Sequence, residues 1–473
     1  HVRDIPKHYV GIQRCWYSVM HDDQFYDRMR KTAECKIALS DGTHYDIACI
    51  LYLLACNTFV CVSTNGQEWY YYGGFLWKHD QSMIELRKFM STVLLPMFEE
   101  HHKTPKTISN LKTHTFKKQV IQESVELFYD ADFLNQLDAD PNLIGFENGV
   151  WMLKEHRFVQ GNRFHCVSLS VGYAYDAHVD EACVQIVHDY FQKLHPNEEQ
   201  RSYVIRMLSR QLYGDTGFEY MHIHAGVKGK AAGGKTKSFE ILHYCLGDYV
   251  QKFDVSVLVH SKRKESNAPK PEYKNWKGKR IMYCTEPNPD ETLHSGVLKE
   301  LTGGEQIVYR MLFSNQYDTY IPQFKLHIMT NDLPLIDGAD EGVRRRIRVL
   351  PYLSTFKPRE HVDEKDDITQ HKYIADTDIA KQFYENKSLR IAYLHMLLNR
   401  FDKEWSFQPT STILHNSSMY LSENNDVERF VELHIEPRDD HFITLQEIKK
   451  RCPEKSNVSN LRSRLERCLQ VSF

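Results

Sequence analysis

A glycine- and lysine-rich segment in the middle of the chain restricts the fold more than any other feature of the sequence. Residues 229–236 read Gly-Lys-Ala-Ala-Gly-Gly-Lys-Thr and fit the phosphate-binding pattern G-x-x-x-x-G-K-[ST] at every fixed position. A strand-like run, FEYMHIH, precedes the motif, and a helix-like run, KSFEILHYCL, follows it and ends at Gly247. This order of strand, loop and helix predicts an α/β P-loop domain.

The motif gives a chemical role to each of its residues. Glycines allow successive backbone N–H groups to turn towards phosphate oxygens, and the positive end of the following helix adds to the attraction. We expect Lys235 to neutralise the β- and γ-phosphates of ATP and Thr236 to place its hydroxyl on Mg²⁺. A flexible basic loop is the alternative interpretation. The predicted nucleotide-binding residues are Gly229, Lys230, Ala231, Ala232, Gly233, Gly234, Lys235 and Thr236.

Two further segments end an apolar strand pattern with a polar residue. WKGKRIMYCTEP ends its apolar run at Thr285 and Glu286, where a carboxylate would polarise water or hold Mg²⁺ through water. Asp290 and Glu291 compete for this role, and an exposed loop carboxylate is the alternative interpretation. FKLHIMTNDLP places Asn331 where a polar side chain would sense the γ-phosphate.

Three consecutive arginines, Arg344 to Arg346, stand before an alternating strand pattern in EGVRRRIRVLP. The planar guanidinium presents several N–H donors that match phosphate oxygens, so an arginine finger would explain one or two of these residues. A solvated basic strand edge is the alternative interpretation.

Alternating short strands and helices from about residue 217 to 352 predict a sheet domain with helices on its faces. Two Asn-Gly hairpins are predicted earlier, in Asn65–Asp80 and Ile144–Leu153, and a helix capped by Ser82 and Glu85 follows the first of them. The aromatic residues of the first hairpin either pack against that helix or stack on bases. The predicted strands of the sheet domain are Phe218–His224, Arg280–Cys284 and Phe324–Thr330.

The sequence predicts four domains around an α/β P-loop ATPase core. A mixed, mostly helical N-terminal domain precedes the core, and a helical extension follows it. Three short helical patterns and a strand-like end predict a small winged-helix-like module at the C-terminus. The predicted boundaries are 1–200, 201–355, 356–425 and 426–473.

The charge balance excludes a basic field over the whole chain. The chain has 60 lysines and arginines and 63 aspartates and glutamates, for a net charge of -3. A nucleic acid would therefore be held by local basic patches. Ser261–Arg280 and Lys449–Cys468 are candidate patches, with Lys449, Arg462 and Arg464 as possible phosphate contacts in the second. Solvated surface segments are the alternative.

Cysteine usage and apolar runs bear on the compartment. The 11 cysteines contain no C-x-x-C pair and fit reduced thiols in an intracellular protein. The apolar run Ile47–Val62 is interrupted and falls short of the ~20 residues of a membrane span, so we expect a buried helix that leads into a strand, and no membrane. The chain begins with His and not Met, and we expect it to be a fragment of a longer protein.

Six segments in this order resemble superfamily III helicases: GFENGV, GKAAGGKTKSF, GKRIMYCTEP, LKELTGGEQIVYR, FKLHIMTNDLP and GVRRRIRVLPY. More closely, the chain is similar to the helicase half of the poxvirus-type primase–helicases of large nucleocytoplasmic DNA viruses, and to related phage and plasmid primases. The resemblance implies an AAA+-like core with a collar-type N-terminal domain. It also implies an ATP-dependent DNA helicase that forms a homohexameric ring, threads single-stranded DNA and unwinds forks during viral DNA replication.

The resemblance also implies roles for individual residues. Lys235 and Thr236 correspond to the Walker A pair, Glu286 to the Walker B carboxylate and Asn331 to the motif C sensor. Thr236 and Glu286 would hold Mg²⁺. Two departures from the family pattern stand out: Thr285 precedes Glu286 where many members have a second acid, and Gly233 stands where many relatives have Asn. The implied catalytic residues are Lys235, Glu286, Asn331, Arg345 and Arg346, with one of the two arginines as the finger.

The stretch Lys299–Lys325 corresponds to a hairpin that enters the channel of the ring and grips DNA. Its predicted DNA-facing residues are Arg310, Met311, Leu312 and Phe313. The implied partners are single-stranded and forked DNA, further copies of the chain, a primase domain N-terminal to it and other replication-fork proteins. The implied location is the host cytoplasm at viral replication sites.

Two other functions share these features. One is a nucleotide-dependent replication initiator, in which the C-terminal module would read a specific site. The other is a ring scaffold that binds nucleotide without hydrolysis and supports a primase. A complete set of Walker A, carboxylate, Asn and Arg elements counts against the scaffold.

Overall fold

A computed structural model gives the fold of the chain. It describes residues 23–101, 104–226, 232–259, 270–286, 292–312, 317–337, 340–358 and 365–423, and positions 435, 444, 447 and 448. The chain divides into two compact units. The first contains the described residues up to Ala139 together with Gln160–Ser168, and the second contains Asp140–Val159 and the described residues from Leu169 onward.

The first unit packs helices on a three-stranded antiparallel sheet. Its strands, in sheet order, are β1 (Phe59–Cys61), β2 (Trp69–Tyr72) and β3 (Trp77–His79). Its helices are α1 (Asp23–Leu39), α2 (His44–Ala55), α3 (Ile84–Phe89), α4 (Leu95–Glu100), α5 (Pro105–Leu111), α6 (His114–Phe128) and α7 (Phe133–Gln136).

The apolar run Ile47–Val62 forms helix α2 and strand β1, as predicted. Thr43 caps α2, because its hydroxyl accepts the N–H of Asp46 at 3.2 Å and the Asp46 carboxylate accepts the N–H of Thr43 at 3.3 Å. Ile47 and Leu51 are fully buried in the core of this unit. Among the helices of the described residues, none has both the length and the apolar character to cross a membrane.

The predicted aromatic hairpin is confirmed as β2 and β3, which pair antiparallel. Trp69 is fully buried, and the ring of Trp77 lies 4.8 Å from that of Phe133. These two tryptophans therefore serve packing, and the stacking of bases on them is not available in this conformation.

The predicted cap of the following helix is wrong. Ser82 and Met83 have φ values of 58° and 56°, so the chain passes through a left-handed turn where Ser82 was expected to cap. The Asp80 carboxylate caps the helix instead, because it accepts the N–H groups of Glu85 at 2.9 Å and Leu86 at 3.0 Å. From there α3 continues through a π-helical turn, Met90–Leu94, into α4.

The second unit is built on a five-stranded parallel sheet with the order β15-β7-β13-β9-β8. Its strands are β4 (Leu143–Phe146), β5 (Gly149–Met152), β6 (Arg157–Val159), β7 (Met221–Gly226), β8 (Val250–Lys252), β9 (Ile281–Thr285), β10 (Thr292–His294), β11 (Ile307–Arg310), β12 (Tyr317–Tyr320), β13 (Lys325–Thr330), β14 (Leu335–Asp337), β15 (Ile347–Tyr352), β16 (Thr355–Lys357) and β17 (Lys372–Ile374). Its helices are α8 (Glu181–Leu194), α9 (Glu198–Arg210), α10 (Lys235–Leu246), α11 (Ser295–Thr302), α12 (Glu341–Arg344), α13 (Ile379–Glu385), α14 (Lys387–Asn399) and α15 (Ser411–Glu423).

The three predicted strands of the sheet are confirmed as β7, β9 and β13, with ends shifted by up to three residues. The central strand β13 is buried along its whole length, as expected for a parallel strand covered on both faces. In β7, Met221, Ile223 and Ala225 join the apolar core on one face, while His222 and His224 point to the other. The unit also contains smaller sheets, and the second Asn-Gly hairpin is confirmed as β4 and β5.

The division between the two units lies earlier in the chain than the predicted boundary at residue 200. Val187 and Phe191 of helix α8 belong to the same hydrophobic core as Tyr203 of α9 and Phe239 of α10, so α8 packs with the sheet domain. Helices α13, α14 and α15 lie in the segment predicted as a helical extension.

The predicted winged-helix-like module, residues 426–473, lies almost wholly outside the described residues, and so do the candidate phosphate contacts Lys449, Arg462 and Arg464. Within the described positions of this segment, Thr444 and Glu447 form a capping box. The hydroxyl of Thr444 accepts the N–H of Glu447 at 3.3 Å, and the Glu447 carboxylate accepts the N–H of Thr444 at 2.9 Å.

Arg280, the last residue of the basic segment predicted to contact DNA or solvent, does neither because it is buried. Its side chain is 2% exposed at the start of β9. The guanidinium donates to the carbonyl oxygens of Leu212 at 2.8 Å, Gly278 at 2.8 Å and Leu143 at 3.2 Å. It therefore joins the β4 hairpin, the end of α9 and the sheet through hydrogen bonds that a buried guanidinium requires. Residues 260–269 of the same segment lie outside the described residues.

Candidate nucleotide-binding site

The P-loop leads from the carboxyl end of β7 to the first residue of α10, Lys235. Gly234 has a φ of 79°, and a Cβ at this position would lie 2.9 Å from Leu194 Cδ1 and 3.0 Å from Phe356 Cε2. The N–H of Phe356 donates to the carbonyl of Ala232 at 3.0 Å. The position of Gly234 thus requires glycine for both its conformation and its surroundings. Of the predicted nucleotide-binding residues, Gly229, Lys230 and Ala231 lie outside the described residues.

Lys235 is buried, with 7% of its surface exposed, and its ammonium donates to Asn331 Oδ1 at 2.8 Å. The structure therefore brings together two residues that the sequence assigned to the same phosphate. Burial lowers the pKa of Lys235, and the nearby charge of Glu286 acts in the opposite direction. In the described part of the chain, no carboxylate lies within ion-pair distance of Lys235. A buried cation with a neutral partner favours a bound anion.

Glu286 and Asn331 lie at the carboxyl ends of neighbouring strands. Glu286 follows β9, Asn331 follows β13, and β13 lies between β9 and the P-loop strand. The N–H of Glu286 donates to the carbonyl of Met329 at 2.7 Å, and Glu286 has a φ of 50°, which is strained for a residue with a Cβ. The carboxyl edge of a parallel sheet is where such folds bind ligands. The competing candidates Asp290 and Glu291 lie outside the described residues.

The predicted Mg²⁺ ligands, Thr236 and Glu286, lie on separate elements of the sheet domain. Thr236 is exposed in the first turn of α10, directly after Lys235. In the described ranges, no group of three or more His, Cys, Asp or Glu residues could hold a metal ion by itself. The binding of Mg²⁺ by Thr236 and Glu286 stays a prediction.

Arg345 and Arg346 lie at the opposite, amino edge of the sheet. They precede β15, and the N–H of Met221 at the start of β7 donates to the carbonyl of Arg346 at 2.8 Å. The length of β7 separates this edge from the P-loop by about 17 Å, at about 3.3 Å per residue. Both guanidinium groups contact the carboxylate of Glu219. The structure therefore does not bring these arginines to the nucleotide site of their own chain.

The predicted DNA-gripping hairpin is present as β11 and β12, which pair antiparallel with Arg310 opposite Tyr317. Met311 is half-buried against the core, and Leu312 is 57% exposed. Phe313 and the rest of the turn lie outside the described residues. The contact of this hairpin with DNA stays a prediction.

A chain of polar side chains behind the P-loop was not predicted from the sequence. The hydroxyl of Ser238 donates to the carbonyl of Lys235 at 2.6 Å and lies 3.4 Å from the hydroxyl of Tyr352. The hydroxyl of Tyr352 is 3.2 Å from His224 Nδ1. The first turn of α10 is thereby connected to the interior of the sheet domain.

The polar chain continues through buried histidines. His224 Nε2 lies 2.8 Å from His327 Nδ1, and His327 Nε2 lies 3.0 Å from Gln211 Oε1. Burial lowers the pKa of His224 and lowers that of His327 to about 3, so both are neutral at ordinary pH. The sequence signal is the presence of histidines at core positions of two strands, in MHIHAG and KLHIMT.

Comparison with known proteins shows that the chain is similar to putative helicases and primases of large DNA viruses. Residues 49–192 match a family model described as "D5 N terminal like". The chain is 28% identical over 427 residues to "Putative helicase L207/L206" of Acanthamoeba polyphaga mimivirus, with 84% of this chain and 44% of that protein covered. It is 24% identical over 436 residues to "Putative primase C962R" of African swine fever virus (strain Badajoz 1971 Vero-adapted), with 82% of this chain and 44% of that protein covered.

The resemblance to viral primase–helicases is confirmed. The chain spans less than half the length of these two relatives, 44% in each case. Among solved structures, one match is "The A form apo structure of NrS-1 C terminal region-CTR", with a TM-score of 0.41 and 13% identity. The matched region covers 89% of this chain and 90% of the chain in that structure. This structural likeness is too loose to support a conclusion about the fold or the function.

Proposed function

We propose that this chain is the motor of an ATP-dependent DNA helicase, which assembles as a homohexameric ring and moves on single-stranded DNA beside a primase during viral DNA replication. One observation carries the proposal: the buried ammonium of Lys235 contacts Asn331 at 2.8 Å at the carboxyl edge of a parallel sheet. This contact brings the P-loop lysine next to the end of β13, which would face the γ-phosphate.

Each residue at the carboxyl edge of the sheet would have a separate role in ATP hydrolysis. Lys235 would bind the β- and γ-phosphates, and its burial strengthens that attraction because less water screens it. Asn331 would hold the lysine ammonium and orient a water molecule. Glu286, in its left-handed turn after β9, would accept a proton from that water. Thr236 and Glu286 would hold Mg²⁺, which when bound neutralises charge on the phosphate oxygens.

The arginines at the other edge support a ring. Because about 17 Å of strand separates them from the P-loop of their own chain, an arginine finger among them would serve an adjacent subunit. The hairpin β11–β12 would move DNA phosphates as the nucleotide state changes. The role of the arginine finger and the role of the hairpin both follow from the resemblance to viral helicases.

The substitution Lys235→Ala tests the proposal. We expect DNA-stimulated ATP hydrolysis and fork unwinding to fall to background, because the phosphate-binding cation is lost. Lys237→Ala is the matched control: Lys237 lies on the same helix, pairs with Glu240 at 2.7 Å on the surface, and should not affect turnover.

The outcomes separate the helicase from its two alternatives. Normal ATP turnover in Lys235→Ala would refute the proposed site. Nucleotide-dependent assembly of the wild-type chain without DNA-stimulated hydrolysis would favour a ring scaffold. Preference for one duplex sequence over forked DNA of random sequence, at fixed salt concentration, would favour a replication initiator.

A further inference from the structure

Two neighbouring arginines share one carboxylate at the amino edge of the central sheet. Glu219 lies just before β7, and Arg345 and Arg346 lie between α12 and β15. Glu219 Oε2 is 2.5 Å from Arg345 Nη2, and Glu219 Oε1 is 2.8 Å from Arg346 Nη2. Each carboxylate oxygen therefore holds a different guanidinium group.

Arg346 is the fixed member of this cluster. It is 8% exposed, and its guanidinium also donates to Thr302 Oγ1 at 3.1 Å and to the carbonyl of Gly342 at 2.7 Å. These contacts engage the guanidinium of Arg346 within its own subunit. They also restrict the Glu219 carboxylate, which is half-buried, because a charge-assisted bond to an anchored guanidinium leaves it little freedom to rearrange.

Arg345 is the exposed member. Its side chain is 59% exposed, and the ion pair with Glu219 is the contact that directs it. An exposed ion pair contributes only about 0 to 1 kcal/mol to stability, so this contact does little to hold the fold together. Its physical effect is to narrow the range of positions of the Arg345 guanidinium, since the partner carboxylate is itself fixed by Arg346.

The position of Arg345 determines which nucleotide it can reach. The strand length between the two edges of the sheet, about 17 Å, exceeds the reach of an arginine side chain. Arg345 therefore cannot contact a nucleotide held by Lys235 of its own chain. In a ring of identical subunits, an exposed arginine at this edge is available to a neighbouring subunit.

We propose that Glu219 is a positioning residue that holds Arg345 ready for the ATP of an adjacent subunit, and that Arg345 rather than Arg346 is the finger. The inference rests on the ring ATPase function proposed above. During hydrolysis the guanidinium of Arg345 would stabilise charge on the γ-phosphate, and its placement would depend on Glu219.

The substitution Glu219→Gln tests the positioning role, because the amide keeps the size of the side chain and removes its charge. We expect kcat for DNA-stimulated ATP hydrolysis to fall by about 10- to 100-fold, since a misplacement of about 1 Å can cost about 100-fold. KM for ATP should not change, because Lys235 lies at the other edge of the sheet. The matched control is Glu385→Gln, which removes an exposed ion pair with Lys381 and should leave kcat unchanged.

Mixed rings distinguish positioning from a general structural role. A Lys235→Ala subunit does not use ATP, yet it carries an intact pair of Glu219 and Arg345. In a mixed ring, Arg345 of a Lys235→Ala subunit can contact the ATP that is bound by an adjacent Glu219→Gln subunit. This ATP then has a correctly positioned arginine. Mixing the two impaired variants should therefore raise turnover above the sum of the separate preparations.

Each outcome decides the proposal. An unchanged kcat in Glu219→Gln, or a loss that mixing does not recover, would overturn the positioning role. If Glu219→Gln does not fold, Glu219→Asp takes its place: its shorter carboxylate should lower kcat at unchanged KM, and a wild-type kcat would overturn the role. A wild-type chain without ATPase activity would instead refute the ring ATPase function, so the two failures are distinguishable.

Discussion

Acidification is expected to destabilise the sheet domain because histidines are buried there as neutral side chains. His327 is fully buried in β13, and burial lowers its pKa from 6.5 to about 3. The unfolded chain therefore binds a proton at this residue before the folded chain does. The corresponding stability is complete above about pH 6.5 and is lost progressively as the pH falls towards 3.

The size of this effect follows from the two pKa values. Between pH 7 and pH 5, a histidine that titrates at about 6.5 only when unfolded removes about 2 kcal/mol from the free energy of unfolding. His327→Gln replaces the titrating ring with an amide that can still contact His224 and Gln211. We therefore expect the variant to lose about 2 kcal/mol less than the wild-type chain over this pH interval.

Urea unfolding at pH 7 and at pH 5, followed by circular dichroism, measures the difference. The cost of the substitution itself cancels when each protein is compared with itself at two pH values, and the titration of carboxylates is common to all variants. His243→Gln is the control for the same substitution at an exposed position, since His243 lies on the surface of α10. An identical pH dependence in His327→Gln and the wild-type chain would refute the buried neutral state of His327.

Three further substitutions test separate parts of the structure. Gly234→Ala should weaken binding of a fluorescent ATP analogue by at least about tenfold, because the left-handed φ of 79° and the contact with Leu194 leave no room for a Cβ. Arg280→Met should lower the free energy of unfolding by about 3 kcal/mol in urea, since it leaves buried carbonyls without a donor. Asp80→Ala should cost about 1 to 2 kcal/mol in thermal unfolding, whereas Ser82→Ala should cost less than about 0.5 kcal/mol.

Each of these expectations has a clear contrary result. Wild-type nucleotide affinity in Gly234→Ala would show that the P-loop adapts to a side chain. A stable Arg280→Met variant would show that water replaces the guanidinium. Equal losses in Asp80→Ala and Ser82→Ala would contradict the assignment of the cap to Asp80.

The sequence predicted those parts of the fold and site that depend on local patterns. The register of the P-loop follows from fixed spacings, and the strands that precede Glu286 and Asn331 follow from apolar runs with polar ends. Parallel strands share one carboxyl edge. The segments that follow β7 and β13 are therefore expected to meet at that edge, where Lys235 contacts Asn331.

Features that depend on contacts between distant segments were not predicted. The buried guanidinium of Arg280 bonds to the carbonyls of Leu212 and Leu143, which are distant in the sequence, and no local pattern distinguishes Arg280 from the lysines beside it. The pairing of Glu219 with Arg345 arises because β7 and β15 are neighbours in the sheet. The cap by Asp80 depends on a left-handed turn at Ser82, a conformation that serine seldom adopts.

The order of the three central strands has a consequence for how the site tolerates change. Asn331 and Glu286 directly follow the adjacent strands β13 and β9, so their lateral spacing is set by the backbone at about 4.8 Å per strand. Main-chain hydrogen bonds between the strands fix this spacing. A slip of one residue in β13 would turn its buried side chains to the opposite faces of the sheet and would displace Asn331 from Lys235.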